Sequence, residues 1–88
     1  MGSPENASTA EPKALSRVSL GVPVRVVDVR MDPVDAAWLS AVGLTTGVTL
    51  TVLRRAPFGG PLHVATSLGG ELALGPQLCD GIFVEATS

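Results

Sequence analysis

Few residues of this 88-residue chain could carry out acid–base, nucleophilic or metal chemistry. There is one histidine, His63, and one cysteine, Cys79, sixteen positions further along. A general base needs a partner acid or nucleophile, and a metal site needs two to four converging ligands. No such partner stands at a recognisable spacing from His63, so we expect an exposed histidine on a strand. A free cysteine commonly packs as a small hydrophobe, which we expect of Cys79.

Three aspartates, Asp28, Asp32 and Asp35, lie close together in the sequence and could form a carboxylate cluster. They could hold a metal weakly, but Asp32 and Asp35 also suit the start of a helix. There the first would cap free amides, and the second would lie at the positive end of the helix dipole. We therefore favour a structural role for these aspartates. The sequence predicts no enzymatic activity, no required cofactor and no tight metal site, and it leaves open weak binding of a divalent metal.

The two glycine pairs do not form a phosphate-binding motif. Gly59-Gly60 and Gly69-Gly70 are followed neither by a helix nor by the lysine that such motifs use. Both pairs are typical of tight turns between strands. Nucleotide binding is therefore not predicted.

Charge and hydropathy narrow the function classes further. The net charge is −2 and the isoelectric point is about 5.1, whereas nucleic-acid-binding domains are usually basic. Every apolar run is interrupted well before the ~20 residues of a membrane-spanning helix. The first fourteen residues also lack the apolar core of a signal peptide. We expect a cytoplasmic protein that does not insert into the membrane and does not bind nucleic acid.

The sequence predicts a polar tail followed by one small domain. Residues 1–13 are rich in small and polar residues, which predicts a disordered tail, and residues 14–88 form the domain. Alternating apolar residues and turn residues predict five short strands, near residues 23–31, 48–53, 62–66, 72–74 and 82–85. In the first strand the apolar positions change parity, which indicates burial on both faces or a bulge. A helix from Pro33 to Val42, ended by Gly43, is inserted after it.

These elements predict a mainly β fold, namely a small barrel. Several motifs along the chain resemble those of the FeoA family. The helix end and the glycine turn match at Leu39, Val42, Gly43, Leu44 and Gly47. The proline-flanked loop matches at Ala56, Pro57, Gly59 and Pro61, and the last strands match at Leu74, Ile82 and Val84. Upstream, Leu15, Val18, Gly21, Val26 and Val29 fit the family's opening strand. The resemblance covers about residues 15–85, and the order and spacing of the motifs carry it.

The resemblance implies an SH3-like five-stranded barrel with one short inserted helix. It implies a non-enzymatic accessory protein of bacterial ferrous-iron uptake that docks on, or regulates, the cytosolic part of a FeoB-type membrane transporter. The alternative is a metal-responsive module that binds a divalent transition metal or a peptide, since the same fold forms the C-terminal domain of iron-dependent repressors. The sequence leaves open whether the protein forms a weak homo-oligomer.

We expect the partner to bind the loop after the second strand together with the edge of the helix. The residues are Trp38, Arg54, Arg55, Pro57, Phe58, Gly59 and Pro61. Exposed aromatic side chains are frequent interface hot spots, and arginines form charge-assisted bonds with carboxylates. The prolines limit the freedom of the loop before a partner arrives. The alternative is that both aromatic rings lie flat over the rim of the core.

Overall fold

Alternating apolar residues build six antiparallel strands, which pair in the order β1-β6-β2-β3-β4-β5. A computed structural model describes residues 11–87; residues 1–10 and 88 lie outside the described part. The strands are β1 Lys13–Ala14, β2 Val24–Val29, β3 Thr49–Arg55, β4 Leu62–Thr66, β5 Glu71–Leu74 and β6 Ile82–Ala86. One 3₁₀ turn, Leu15–Arg17, and two helices, α1 Pro33–Ala41 and α2 Pro76–Asp80, complete the fold.

The predicted fold class, mainly β with a short helix inserted after β2, is confirmed, but the sheet has six strands where five were predicted, and a second short helix, α2, was not predicted. The sheet has six strands because Lys13 and Ala14 pair with Val84 and Phe83 at the edge of β6. Within residues 11–87, β1 and β5 are not paired with each other, so the sheet curls without closing. Of the predicted tail, residues 1–10 lie outside the described residues, and its last residue already belongs to β1.

Among residues 11–87, the buried core is wholly apolar. Its fourteen buried side chains are Leu15, Val18, Val24, Val26, Leu39, Leu44, Leu50, Val52, Leu62, Val64, Leu74, Cys79, Ile82 and Val84. The alternation in β3, β4 and β6 thus points the predicted residues inward, and the prediction that Cys79 packs in the core is confirmed. None of the described helices is long and apolar enough to cross a membrane.

Two local predictions about β2 and α1 are also confirmed. The register of β2 against β6 shifts between Val26 and Asp28, which is the bulge that the change of parity indicated. At the start of α1, a carboxylate oxygen of Asp32 accepts a hydrogen bond from the Asp35 amide at 3.0 Å. Pro33 occupies the first turn. The helix begins where the sequence predicts, and Leu39 is its one buried side chain.

Candidate functional site

The loop between β3 and β4, residues 56–61, is held in a defined shape by two backbone hydrogen bonds. The Ala56 amide donates to the Pro61 carbonyl at 3.0 Å, and the Gly60 amide donates to the Pro57 carbonyl at 3.2 Å. Between them, Phe58 and Gly59 have φ angles of 60° and 73°. Two positive φ angles inside such a hydrogen bond indicate a type I′ turn.

Phe58 is an unusual residue for its place in this turn. The first central position of a type I′ turn favours Asn, Asp or Gly, because the left-handed backbone region crowds other side chains. Phe58 is the one non-glycine residue with positive φ among residues 11–87, and its side chain is fully exposed, at 102% of the reference area. The ring therefore does not lie over the rim of the core. The chain bears both a backbone penalty and an exposed aromatic ring at this position.

A close backbone approach restricts the base of the same loop. A Cβ atom on Gly60 would lie 2.6 Å from the Cβ atom of Ala56 and 3.2 Å from the Pro57 carbonyl oxygen. Only glycine fits at this distance. With Pro57 and Pro61 on either side, the loop has few other conformations to adopt, so the backbone that carries Phe58 has a defined shape.

The two neighbouring arginines have different surroundings. The guanidinium of Arg55 donates to the Ser16 carbonyl at 2.7 Å and also to the Val18 carbonyl. It thereby ties the end of β3 to the 3₁₀ turn and to the residue that follows it. Arg54 is exposed and makes no ion pair within the described part of the chain. Arg55 is thus engaged within the fold, whereas Arg54 is available to a ligand.

The structure does not bring Trp38 beside the loop. Trp38 lies on α1, which leads through residues 42–48 into the start of β3, whereas the loop follows the end of β3. The seven residues of β3 span about 20 Å. Trp38 is 45% exposed, and Val34, one helical turn before it, is 78% exposed. The two predicted parts of the site therefore lie at opposite ends of one strand.

The residues that could do chemistry are held by structural contacts. His63 Nε2 lies 2.8 Å from a carboxylate oxygen of Glu71 on the neighbouring strand. Arg30 donates to Asp28 at 2.7 Å, which lowers the pKa of that carboxyl. Within residues 11–87, no three His, Cys, Asp or Glu residues lie together in a group that could hold a metal ion.

Burial raises the pKa of the Cys79 thiol to about 11, from an ordinary value near 9. We therefore predict that Cys79 reacts with a disulfide reagent at pH 8 at least about a hundredfold more slowly in the native protein than in guanidinium chloride. The thiol of Cys79 therefore stays protonated up to a higher pH in the folded state than in the unfolded state. The stability linked to this proton should be complete below pH 9 and should decline as the pH rises towards 11. Equal labelling rates with and without denaturant would contradict this prediction.

Comparison with known proteins agrees with the fold. The family model of the FeoA domain matches residues 13–86. No curated protein matches the sequence. Three solved structures show the same fold over most of the chain, each with a TM-score of 0.76 or more.

The first is an iron uptake regulatory protein, FeoA, which is 28% identical with a TM-score of 0.76 and covers 85% of this chain and 97% of its own. The FeoA protein of Chlorobium tepidum is 32% identical with a TM-score of 0.78, and the match covers 85% of this chain and 70% of that protein. A manganese-dependent transcriptional repressor reaches a TM-score of 0.81 at 24% identity, over 89% of this chain and 43% of the repressor. At that identity the likeness shows the shared fold alone.

Proposed function

The chain belongs to the FeoA domain family, and from this membership we propose that it is an accessory protein of bacterial ferrous-iron uptake. In this proposal it works as a non-enzymatic docking module on the cytosolic part of a FeoB-type transporter. The observation that supports docking is Phe58, a fully exposed aromatic ring held on a turn that disfavours it. The proposed contact surface comprises Trp38, Arg54, Arg55, Pro57, Phe58, Gly59 and Pro61.

The energetics of such a contact are favourable because little has to be ordered on binding. Complete burial of a phenylalanine side chain stabilises a complex by about 1.5–3 kcal/mol, which corresponds to about ten- to a hundredfold in Kd. The glycines and prolines have already fixed the loop, so little conformational entropy is lost. Arg54 lies close to Phe58 in sequence and can add a charge-assisted bond to a carboxylate of the partner.

We predict that Phe58→Asn weakens binding to the transporter's cytosolic part at least about tenfold, a loss of about 1.4 kcal/mol. The same substitution should leave the free energy of unfolding unchanged or raise it by about 0.5–1 kcal/mol, because Asn suits the first central position of a type I′ turn. Isothermal titration calorimetry measures the first effect, and denaturant unfolding measures the second.

Leu68→Asn is the matched control for this experiment. Leu68 is also an exposed apolar residue before a glycine of positive φ, but it lies in the turn between β4 and β5. We expect that this variant binds like the wild type. A folded Phe58→Asn variant with unchanged affinity would show that the loop is not the docking site.

The helix edge at Trp38 requires its own variant because it lies at the other end of β3. A partner domain that reaches both ends, about 20 Å apart, would contact the loop and the helix together. If Trp38 belongs to the surface, Trp38→Ala should weaken binding in addition to Phe58→Asn. Unchanged affinity in Trp38→Ala would restrict the site to residues 54–61.

A further inference from the structure

β5 is an edge strand, and two of its residues direct their backbone hydrogen-bonding groups away from the sheet. In the described part of the chain, β5 pairs with β4 on one side and with no strand on the other. At the turn before β5, the Thr66 amide donates to the Gly70 carbonyl at 2.8 Å. Bonded and non-bonded pairs alternate along an antiparallel ladder, so Leu72 is the next residue that bonds to β4. The amides and carbonyls of Glu71 and Ala73 therefore point outwards.

These outward groups are accessible from solvent. Glu71 and Ala73 are both exposed, and neither takes part in the backbone hydrogen bonds that the turns and loops of residues 11–87 form. β5 is short and carries one charged residue, but it has no lysine, proline or bulge to protect its edge. An extended strand is the partner that matches alternating donors and acceptors along such an edge.

The positions of the outward groups are self-complementary, and from this pattern we infer that β5 pairs with β5 of a second copy of this chain. The two strands run antiparallel about a two-fold axis beside Leu72. In this register Glu71 of each copy lies opposite Ala73 of the other, and two bonded pairs with two bonds each give four hydrogen bonds. Among the residues of β5, a shift by two positions leaves only one such pair. The two Leu72 side chains, partly buried on the core side, also meet across the axis.

The side chains on the outer face of the sheet fit the same register. Arg54, His63 and Ala73 lie opposite one another on β3, β4 and β5, so they form one row across the sheet. An open pocket of about 140 Å³ is lined by these three residues and by the two ends of the 56–61 loop. The small side chain of Ala73 leaves room at the end of the row, where Glu71 of the second copy extends it. Each row then holds one carboxylate and Arg54, which makes no ion pair within residues 11–87, and these opposite charges favour the association.

Two features of the edge keep the association weak. The two Glu71 side chains are diagonal neighbours, about 7–8 Å apart, so their like charges repel. Each of them also bonds to His63 of its own chain at 2.8 Å, which holds it on its own side of the axis. The strand has only four residues, so the contact area is that of a transient interface. We expect a dissociation constant of about 0.1–1 mM.

The test uses the purified chain alone, so its outcome is independent of docking on the transporter. Sedimentation equilibrium from about 20 μM to about 1 mM should show a concentration-dependent dimer of the wild type. Ala73→Glu should weaken dimerisation at least about tenfold, because it places two carboxylates directly opposite each other in both pairs. Within one copy the new carboxylate lies opposite His63, so the variant should fold normally. Ala37→Glu, the same substitution at an exposed position of α1, is the matched control and should dimerise like the wild type.

A second charge change tests the register itself. Combining Ala73→Glu with Glu71→Lys places a lysine of each copy opposite a glutamate of the other. The double variant should therefore recover dimerisation to at least the wild-type level. An effect confined to the stability of one copy would give no such recovery. A double variant that dimerises no better than Ala73→Glu would contradict the pairing.

Amide hydrogen exchange locates the contact independently. In dilute solution the amides of Glu71 and Ala73 should exchange rapidly, whereas that of Leu72 is protected by its bond to β4. At about 1 mM, exchange at Glu71 and Ala73 should slow at least about twofold, the effect of a half-populated dimer. A wild type that stays monomeric at this concentration would overturn the inference, as would a dimer that Ala73→Glu leaves intact. Protection of both amides at every concentration would also overturn it, since another segment of the same chain would then cover the edge.

Discussion

Gly81→Ala is expected to destabilise the fold by about 3 kcal/mol, a large fraction of the stability of a domain this small. Gly81 ends α2 and precedes β6, at a point where two backbones come very close. A Cβ atom there would lie 2.5 Å from the carbonyl oxygen of Arg30 and 3.0 Å from Cε of Met31. The methionine can move, but the carbonyl is held in place because the Arg30 amide donates to the Gly81 carbonyl at 2.7 Å.

The measurement is the free energy of unfolding in urea, with Gly75→Ala as the matched control. Gly75 lies at the other end of the same helix, has a φ of −62°, and would place a Cβ atom in open space. Its replacement should be neutral or slightly stabilising, because alanine restricts the unfolded chain. If the two variants unfold at the same urea concentration, the close approach at Gly81 does not constrain the fold.

The strands could be predicted from the sequence because their signals are local. Alternation in β3 and β4, the cap at Asp32 and the parity change in β2 each follow from a few neighbouring residues. The two elements that were not predicted lack such a signal. β1 has two residues, and α2 begins at Pro76, which also ends the preceding strand. A proline in the first turn of a helix and a proline that stops a strand look alike in a sequence.

The exposure of Phe58 could be predicted from the sequence, but the arrangement of the candidate residues could not. The composition of residues 56–61 indicates a loop, and Phe58 is an evident candidate for exposure. That Arg55 binds two backbone carbonyls more than thirty positions away is a tertiary contact, which no local pattern reveals. The same holds for the separation of Trp38 from Phe58, since it depends on which end of β3 the helix joins. Sequence reasoning thus grouped two surfaces that the fold places apart.

Leu39→Ala is the second substitution with a large expected effect, because α1 depends on this side chain for its attachment. Of the nine residues of α1, Leu39 alone is buried, at 1% exposure. An isolated helix of this length is not stable in water, so tertiary contacts must hold it. Removal of a buried leucine costs about 2–5 kcal/mol. We expect a loss near 3 kcal/mol in the free energy of unfolding, measured in urea.

Leu39→Ala should also reduce the helical structure of α1 itself. This local effect distinguishes a loss of helix attachment from a general loss of core packing. Cα chemical shifts of residues 33–41 should move towards random-coil values, while those of β3 and β4 stay native. Leu74→Ala, which removes an equally buried leucine from β5, should lower stability while the helical shifts persist. Val34→Ala should change neither quantity, since Val34 is 78% exposed on the same helix. If the helical shifts of Leu39→Ala match those of the wild type, then the partly buried Met31 and Val42 suffice to hold α1, and its attachment does not rest on one leucine.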